Sequence, residues 1–296
     1  MTTVMAGKSM KKKERTGWRS WRWLIARRTV QLLLLFAFMA GPWLGWRIAQ
    51  GNFASSEWFG VLDLSDPYIL LQSLLAGHAV SSVAIVGALL IVLFYLVVGG
   101  RSYCSWLCPV NIVTDAALWL RDRLGIKRDR AFNKQTRLVI LGATLIASVT
   151  TSVIAWEIIN PVTILQRGLI FGMGLGWAVI AGVFLFDLLI TRHGWCGYLC
   201  PVGAFYGTIG RFSRVRVRAT HRDACEQCGA CLRKCPEPHV IGPALRGEAN
   251  AFVISGDCIN CGACIDHCPN DVFEMSFRPL TWPTTSRPDL DATTPP

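Results

Sequence analysis

The chain has 296 residues, of which 52% are hydrophobic and only 17% charged. A soluble domain carries about a quarter charged residues, so this composition points to a membrane protein. The formal net charge of +11 would suggest nucleic acid in a soluble domain, but the basic residues stand at the ends of apolar stretches and no base-stacking signature accompanies them, so nucleic acid is set aside.

Residues 1–28 form a basic N-terminus, with Lys8, Lys11, Lys12, Lys13, Arg15, Arg19, Arg22, Arg27 and Arg28. A first transmembrane helix is expected at Thr29–Ala49; Arg27-Arg28 reads as the start of a retained helix rather than an export signal, because three further spans follow. The loop from Gln50 to His78 holds no Lys or Arg, only Glu57, Asp63 and Asp66. A second span is expected at Val80–Val98, and a basic loop with Arg101, Arg121, Arg123 and Lys134 comes after it. The third and fourth spans are expected at Leu138–Ile159 and Leu169–Ile190, the latter carrying Gly172, Gly174, Gly176 and Gly182, small residues that let helices approach closely. Basic residues concentrate on alternate loops, which places both termini of a multi-pass membrane protein in the cytoplasm. Residues 219–277 are a compact, Cys-rich polar domain, and 278–296 a Pro/Thr-rich tail read as disordered.

The expected fold class is therefore an all-α membrane domain of four transmembrane helices over 29–218, followed by a small α+β ferredoxin-like domain over 219–277. The membrane part contains an internal repeat. Cys104-Ser-Trp-Leu-Cys-Pro-Val110 matches Cys196-Gly-Tyr-Leu-Cys-Pro-Val202, and Asp66-Pro-Tyr-Ile-Leu-Leu-Gln72 matches Asn160-Pro-Val-Thr-Ile-Leu-Gln166. Two copies in the same orientation make a parallel repeat, whose pseudo-two-fold axis along the membrane normal would bring like motifs together. Amphipathic surface helices are expected after each Cys-Pro, at Asn111–Leu124 and Ala204–Phe212.

All twelve cysteines fall into four short groups, which in a chain without secretory context read as metal sites rather than disulfides. Cys225, Cys228, Cys231, Cys235-Pro236 and Cys258, Cys261, Cys264, Cys268-Pro269 reproduce the bacterial two-cluster ferredoxin pattern, in which the fourth Cys of each run ligates the other cluster. Cys225, Cys228, Cys231 and Cys268 are assigned to one [4Fe–4S] cluster, and Cys258, Cys261, Cys264 and Cys235 to a second. Zinc prefers pairs of ligands separated by longer linkers. The four cysteines Cys104, Cys108, Cys196 and Cys200 would meet across the pseudo-two-fold. They could hold a further iron or iron–sulfur centre, act as redox dithiols, or simply pack.

Haem is not expected, because none of the five His forms an axial pair within the spans. Ionisable or polar groups at membrane depth are functional candidates. Asp66, Gln72, His78, Glu157 and Gln166 on the outer side are candidates for a quinol site, and Asp187 is a further buried acid. Trp46, Trp58 and Trp156 read as interfacial belt residues.

Together, the four spans, the paired Cys-x-x-x-Cys-Pro motifs and the C-terminal two-cluster domain resemble the NapH/MauN family of ferredoxin-type membrane proteins. The resemblance runs from the basic N-terminus to about Phe277. Leu64-Ser-Asp-Pro-Tyr68, Leu71-Gln-Ser73 and Gly77-His78 look nearest to the NapH branch. That resemblance implies a component of a quinol dehydrogenase, passing electrons from membrane quinol to a NapG-like periplasmic iron–sulfur protein and on through cytochromes c to periplasmic nitrate reductase. Two alternatives remain: an assembly or maintenance factor of the FixG/NosR kind, and electron transfer in methylamine utilisation.

Overall fold

The computed structural model describes residues 15, 17–46, 48–126, 129–130, 132–172, 174–247 and 251–279. The lysines Lys8–Lys13 and the expected tail from residue 280 onwards lie outside the described residues.

Helix α1 (Arg22–Leu44) is closed by Gly45 in the left-handed region, whose N–H bonds back to Ala40 and Gly41, the usual glycine termination. The helix begins and ends earlier than the expected Thr29–Ala49. Next comes a three-stranded antiparallel meander, β1 (Ala49–Gly51), β2 (Ser55–Trp58) and β3 (Leu62–Ser65). This sheet corrects the all-α expectation for the first domain. Its strands pair Gln50 with Glu57 and Glu57 with Asp63.

Helix α2 (Pro67–Leu75) follows directly. The Asp66 side chain accepts from Tyr68 N at 2.8 Å and Pro67 occupies the first turn, so the Asp-Pro pair is a helix start. The second copy repeats the device: Asn160 accepts from Val162 N at 3.1 Å and Pro161 opens α7. Between them lie α3 (Ser82–Val98), α4 (Ser102–Trp106), α5 (Val110–Arg123) and α6 (Thr136–Thr151). After α7 (Pro161–Phe171) come α8 (Gly176–Leu189), a π-turn at Trp195–Leu199 and α9 (Pro201–Gly210).

Two expected spans are corrected. Leu138–Ile159 stops at Thr151, where Ser152 turns left-handed and a 3₁₀ turn Ala155–Ile158 follows. Leu169–Ile190 is cut between α7 and α8, with Gly172 and Gly174 at positive φ; those glycines break the helix rather than line a helix contact. Among the described residues one helix, α1, is long and apolar enough to cross a membrane, while α3, α6 and α8 are shorter apolar helices of 17, 16 and 14 residues. Large apolar side chains project outward from all four, including Leu32 and Phe36, Val86 and Leu93, Val139 and Ile146, and Trp177 and Leu185.

The two copies interlock. Gln72 Oε1 accepts from the main-chain N–H of Trp156 (3.1 Å) and from Ser148 Oγ (3.2 Å), both in the second copy. Gln166 Oε1 accepts from Phe53 N (3.0 Å) in the first. Each glutamine thus satisfies a main-chain donor of the other half. Helix α5 packs on α8, and α9 on α3 and α6. A core of Tyr68, Tyr95, Tyr103, Trp156 and Tyr206 lies between the halves, with Tyr103 stacked on Tyr206 at 5.0 Å. Trp156 is only 1% exposed and faces Trp195, so it is a core residue and not the interfacial one expected.

The C-terminal unit is framed by an antiparallel pair, β4 (Val215–Ala219) and β5 (Phe273–Phe277). It therefore begins four residues before the expected boundary at 219. Within it lie the short helices α10 (Ala230–Lys234), α11 (Gly242–Arg246) and α12 (Ala263–Asp266).

Candidate electron-transfer centres

The two C-terminal cysteine runs fold alike. In each, the residue before the second Cys, Gln227 or Asn260, has positive φ, and so does the glycine after it, Gly229 or Gly262. Two left-handed residues around one Cys curl the chain so that successive N–H groups face inward, a backbone nest for a negatively charged sulfur cage. The glycine then caps the short helix, α10 or α12, that carries the third Cys.

The electrostatic neighbours of the thiols sort them into two sets. Burial, reinforced by Cys268, Cys225 and Cys228, raises the Cys231 thiol to about 11. Burial likewise pushes up Cys264, reinforced by Cys261, Cys258 and Cys235. The fourth Cys of each run therefore sits among the first three of the other. Buried thiols such as Cys231 and Cys264, whose neutral form burial favours, suit an iron–sulfur cage, whose irons stabilise the thiolate form.

The membrane-side cysteines also converge. Burial raises Cys108, with Cys104 and Cys200 adding to it, and burial pushes Cys200 up to about 12, with Cys104 next. Cys196 is raised by burial and by Cys108, Cys200 and Cys104. The structure thus brings Cys104, Cys108, Cys196 and Cys200 into one neighbourhood. Among the described residues no three His, Cys, Asp or Glu side chains are grouped to hold a single metal ion.

The two regions are locked together by residues that the sequence reading did not single out. Arg101 is 1% exposed. Its guanidinium donates to Cys196 O (2.8 Å), Asp257 O (3.0 Å) and Glu237 Oε1 (3.4 Å). Lys134 pairs with Glu237, and Arg137 with Asp257. Burial alone would raise Asp257, but the bond from His239 and the charge of Arg137 hold it well below the usual carboxylate range. Ser105 Oγ donates to Ile259 O at 2.6 Å, and Trp106 Nε1 to Asn260 O at 3.1 Å. The loop bearing Cys258 and Cys261 therefore rests directly on the turn bearing Cys104, and Cys261 shares a core with Cys104 and Cys108.

The proposed quinol residues are placed differently. Gln72 and Gln166 are the interlocking clasps described above. Asp66 caps α2 and lies 3.5 Å from the Tyr206 hydroxyl. Glu157 is half-buried and accepts from Asn160 Nδ2 at 3.1 Å. His78 is exposed in the turn between α2 and α3. Asp187 is fully buried and accepts from Trp195 N at 2.9 Å.

A family model described as a 4Fe-4S binding domain matches residues 82–127 and 169–220, and one described as a 4Fe-4S dicluster domain matches 219–269. The methylamine utilization ferredoxin-type protein MauN of Paracoccus denitrificans is 62% identical over 265 residues, covering 89% of this chain and 94% of that protein. The MauN of Methylorubrum extorquens is 60% identical, covering 88% and 91%. The ferredoxin-type protein NapH of Escherichia coli is 43% identical, again covering 88% and 91%. The family expected from sequence holds, but the MauN relatives share more of this chain than the NapH relative does, against the NapH leaning of the first-loop motifs. No solved structure matches.

Proposed function

The chain belongs to the family of MauN and NapH ferredoxin-type proteins, iron–sulfur electron-transfer proteins, and on that premise we propose that it is the membrane electron-transfer subunit of a quinol-oxidising system for methylamine utilisation. The observation that carries this reading is the Arg101 junction, which docks the Cys258–Cys261 loop onto the Cys104/Cys196 turns with no intervening domain. Cys225, Cys228, Cys231 and Cys268 would hold one [4Fe–4S] cluster. Cys258, Cys261, Cys264 and Cys235 would hold a second, and Cys104, Cys108, Cys196 and Cys200 a further iron–sulfur centre. Bound clusters supply one-electron storage and transfer. The chain's own residues hold the three sites in contiguous order.

Helices α1, α3, α6 and α8 are proposed to cross the inner membrane, with both termini in the cytoplasm. Their outward apolar faces are continuous with one another in kind, whereas a soluble monomer rarely exposes large apolar patches. The MauN identities of 60% and 62% favour methylamine utilisation. The NapH identity of 43% at equal coverage supports a second reading, with electrons leaving through a NapG-like periplasmic iron–sulfur protein and cytochromes c to periplasmic nitrate reductase.

The test is to add a quinol analogue to the purified protein, with and without its iron–sulfur partner, and follow cluster absorbance and EPR. The reading expects quinol-dependent reduction. Its absence under both conditions turns the case towards an assembly or maintenance factor. Restoration of methylamine growth but not nitrate respiration in matched deletion strains separates the two destinations.

A further inference from the structure

A cleft of about 1250 Å³ opens between the start of α1, α5, the segment after α8 and the ferredoxin-like unit. Asp66, Gln72 and Glu157 are not among the residues that line it. Its apolar walls include Trp21, Leu24, Ile112 and Trp119, and Trp21 and Trp119 are more than half exposed, as suits the level of lipid head groups. Cys235 and Cys261, two of the residues proposed to hold the second cluster, form part of the same wall.

Two polar groups in this cleft have no structural task. Arg27 is 6% exposed, and its buried Nε has no hydrogen-bond partner among the described residues. Its neighbour Arg28, by contrast, is bound to Asp115 and Gln31. A buried nitrogen left without a partner is costly unless a ligand supplies the acceptor. His193 is half-buried, at φ 48 in the turn after α8. Its ring has no hydrogen-bond partner among the described residues. His193 also stands where Arg101 stands in the first copy, three residues before the first Cys of the motif. Arg101 is covered by the Cys258 loop, while its counterpart faces the cleft.

We propose that this cleft binds the head group of the membrane quinol, with Arg27 donating to one ring oxygen and His193 accepting from the opposite hydroxyl. The inference rests on the quinol-oxidising reading and places its substrate on the cytoplasmic side. The walls combine apolar side chains such as Trp21, Leu24, Ile112 and Trp119 with many charged ones, among them Asp115, Lys134, Glu237 and Asp266; the apolar part suits a ring of this kind, and the exposed tryptophans mark an entrance for its isoprenoid tail. Oxidation of one quinol to quinone breaks two O–H bonds. Both protons would leave to water at the open mouth, and a cluster held by Cys235 and Cys261 would supply one-electron acceptance for the two electrons, taken one at a time.

Photolabelling of the full-length protein with an azido-ubiquinone analogue tests the location without any substitution. Labels are expected on peptides containing 112–119 and 191–198. Labels confined to 66–78 and 157–166 overturn the proposal in favour of the outer side. Decyl-ubiquinone affinity, read by tryptophan quenching, is expected to fall roughly tenfold in Arg27→Gln, where a charge-assisted hydrogen bond becomes a neutral one. His193→Asn is expected to weaken binding and His78→Asn to leave it unchanged. Unchanged affinity in both Arg27→Gln and His193→Asn overturns the cleft while the quinol reading stands. No saturable binding or labelling anywhere on the chain overturns both.

Discussion

Replacing Arg101 with leucine removes the junction between the membrane-side cysteines and the ferredoxin-like unit. The substitution strips donors from the carbonyls of Cys196 and Asp257, now bonded at 2.8 and 3.0 Å. A buried acceptor left without a partner costs about 1–3 kcal/mol. It also leaves the Glu237 carboxylate, 3% exposed, with only Lys134 and His239 beside it. Breaking a buried pair from one side costs about 3–5 kcal/mol. These losses overlap, so the expected destabilisation of the docked state is about 3–5 kcal/mol, a large share of the ~5–15 kcal/mol that holds a typical domain folded. Hydrogen exchange over residues 251–261, followed alongside a urea titration, reads it directly. The loop should lose protection before the β4–β5 pair does, and magnetic coupling between the centres seen by EPR should weaken with it. Arg101→Lys keeps the charge but cannot fork to three acceptors, and it should fall between. Wild-type protection at Gly256–Cys261 in Arg101→Leu would refute the idea that this side chain is the lock.

Gly100→Ala would press its new methyl onto the Tyr206 carbonyl and Gly210 where α9 crosses, costing about 1–3 kcal/mol; Gly142→Ala on α6, with open space around it, should be neutral or slightly stabilising in the same thermal melt. Cys225→Ser and Cys258→Ser should each lower bound iron by about four atoms per chain, measured by colorimetric iron assay. Cys104→Ser/Cys196→Ser should lower it further while leaving the ferredoxin-type EPR signals, and unchanged iron would remove the third centre. Asp257, held below its ordinary value of 3.8, stabilises the fold fully above that pH and loses its contribution as pH falls through the depressed folded value. Urea midpoints taken downward from pH 5 should therefore drop less steeply in Asp257→Asn than in the wild type.

The cysteine chemistry was legible because spacing alone fixes it: three Cys at i, i+3 and i+6 and a fourth before Pro leave few other uses for the chain. The helix starts at Asp66 and Asn160 were written as a repeated Asx-Pro, although their capping role needed the structure. The meander was not legible, since its strands are only three or four residues long, and the one that alternates in burial, β2, does so over just four residues. The break between α7 and α8 was hidden for a different reason: Gly172–Leu175 is apolar enough to read through as one span. Arg101 and His193 could have been found. Extending the cysteine repeat three residues upstream sets them opposite one another, and a basic residue at the same place in both copies is a signal that periodicity and hydropathy do not carry.

The crossed glutamines bear on how the chain matures. Phe53 N cannot be satisfied by Gln166, nor Gln72 by Ser148 and Trp156, until the ribosome has delivered both halves. The first half is therefore made with the Phe53 N–H and the Gln72 side chain still without their second-half partners, a state vulnerable to quality-control proteases. The loop carrying Cys258 comes later still. If Cys104, Cys108, Cys196 and Cys200 take iron as proposed, they are open to it before the ferredoxin-like unit closes over them, and a delivery protein for that centre would act before that closure.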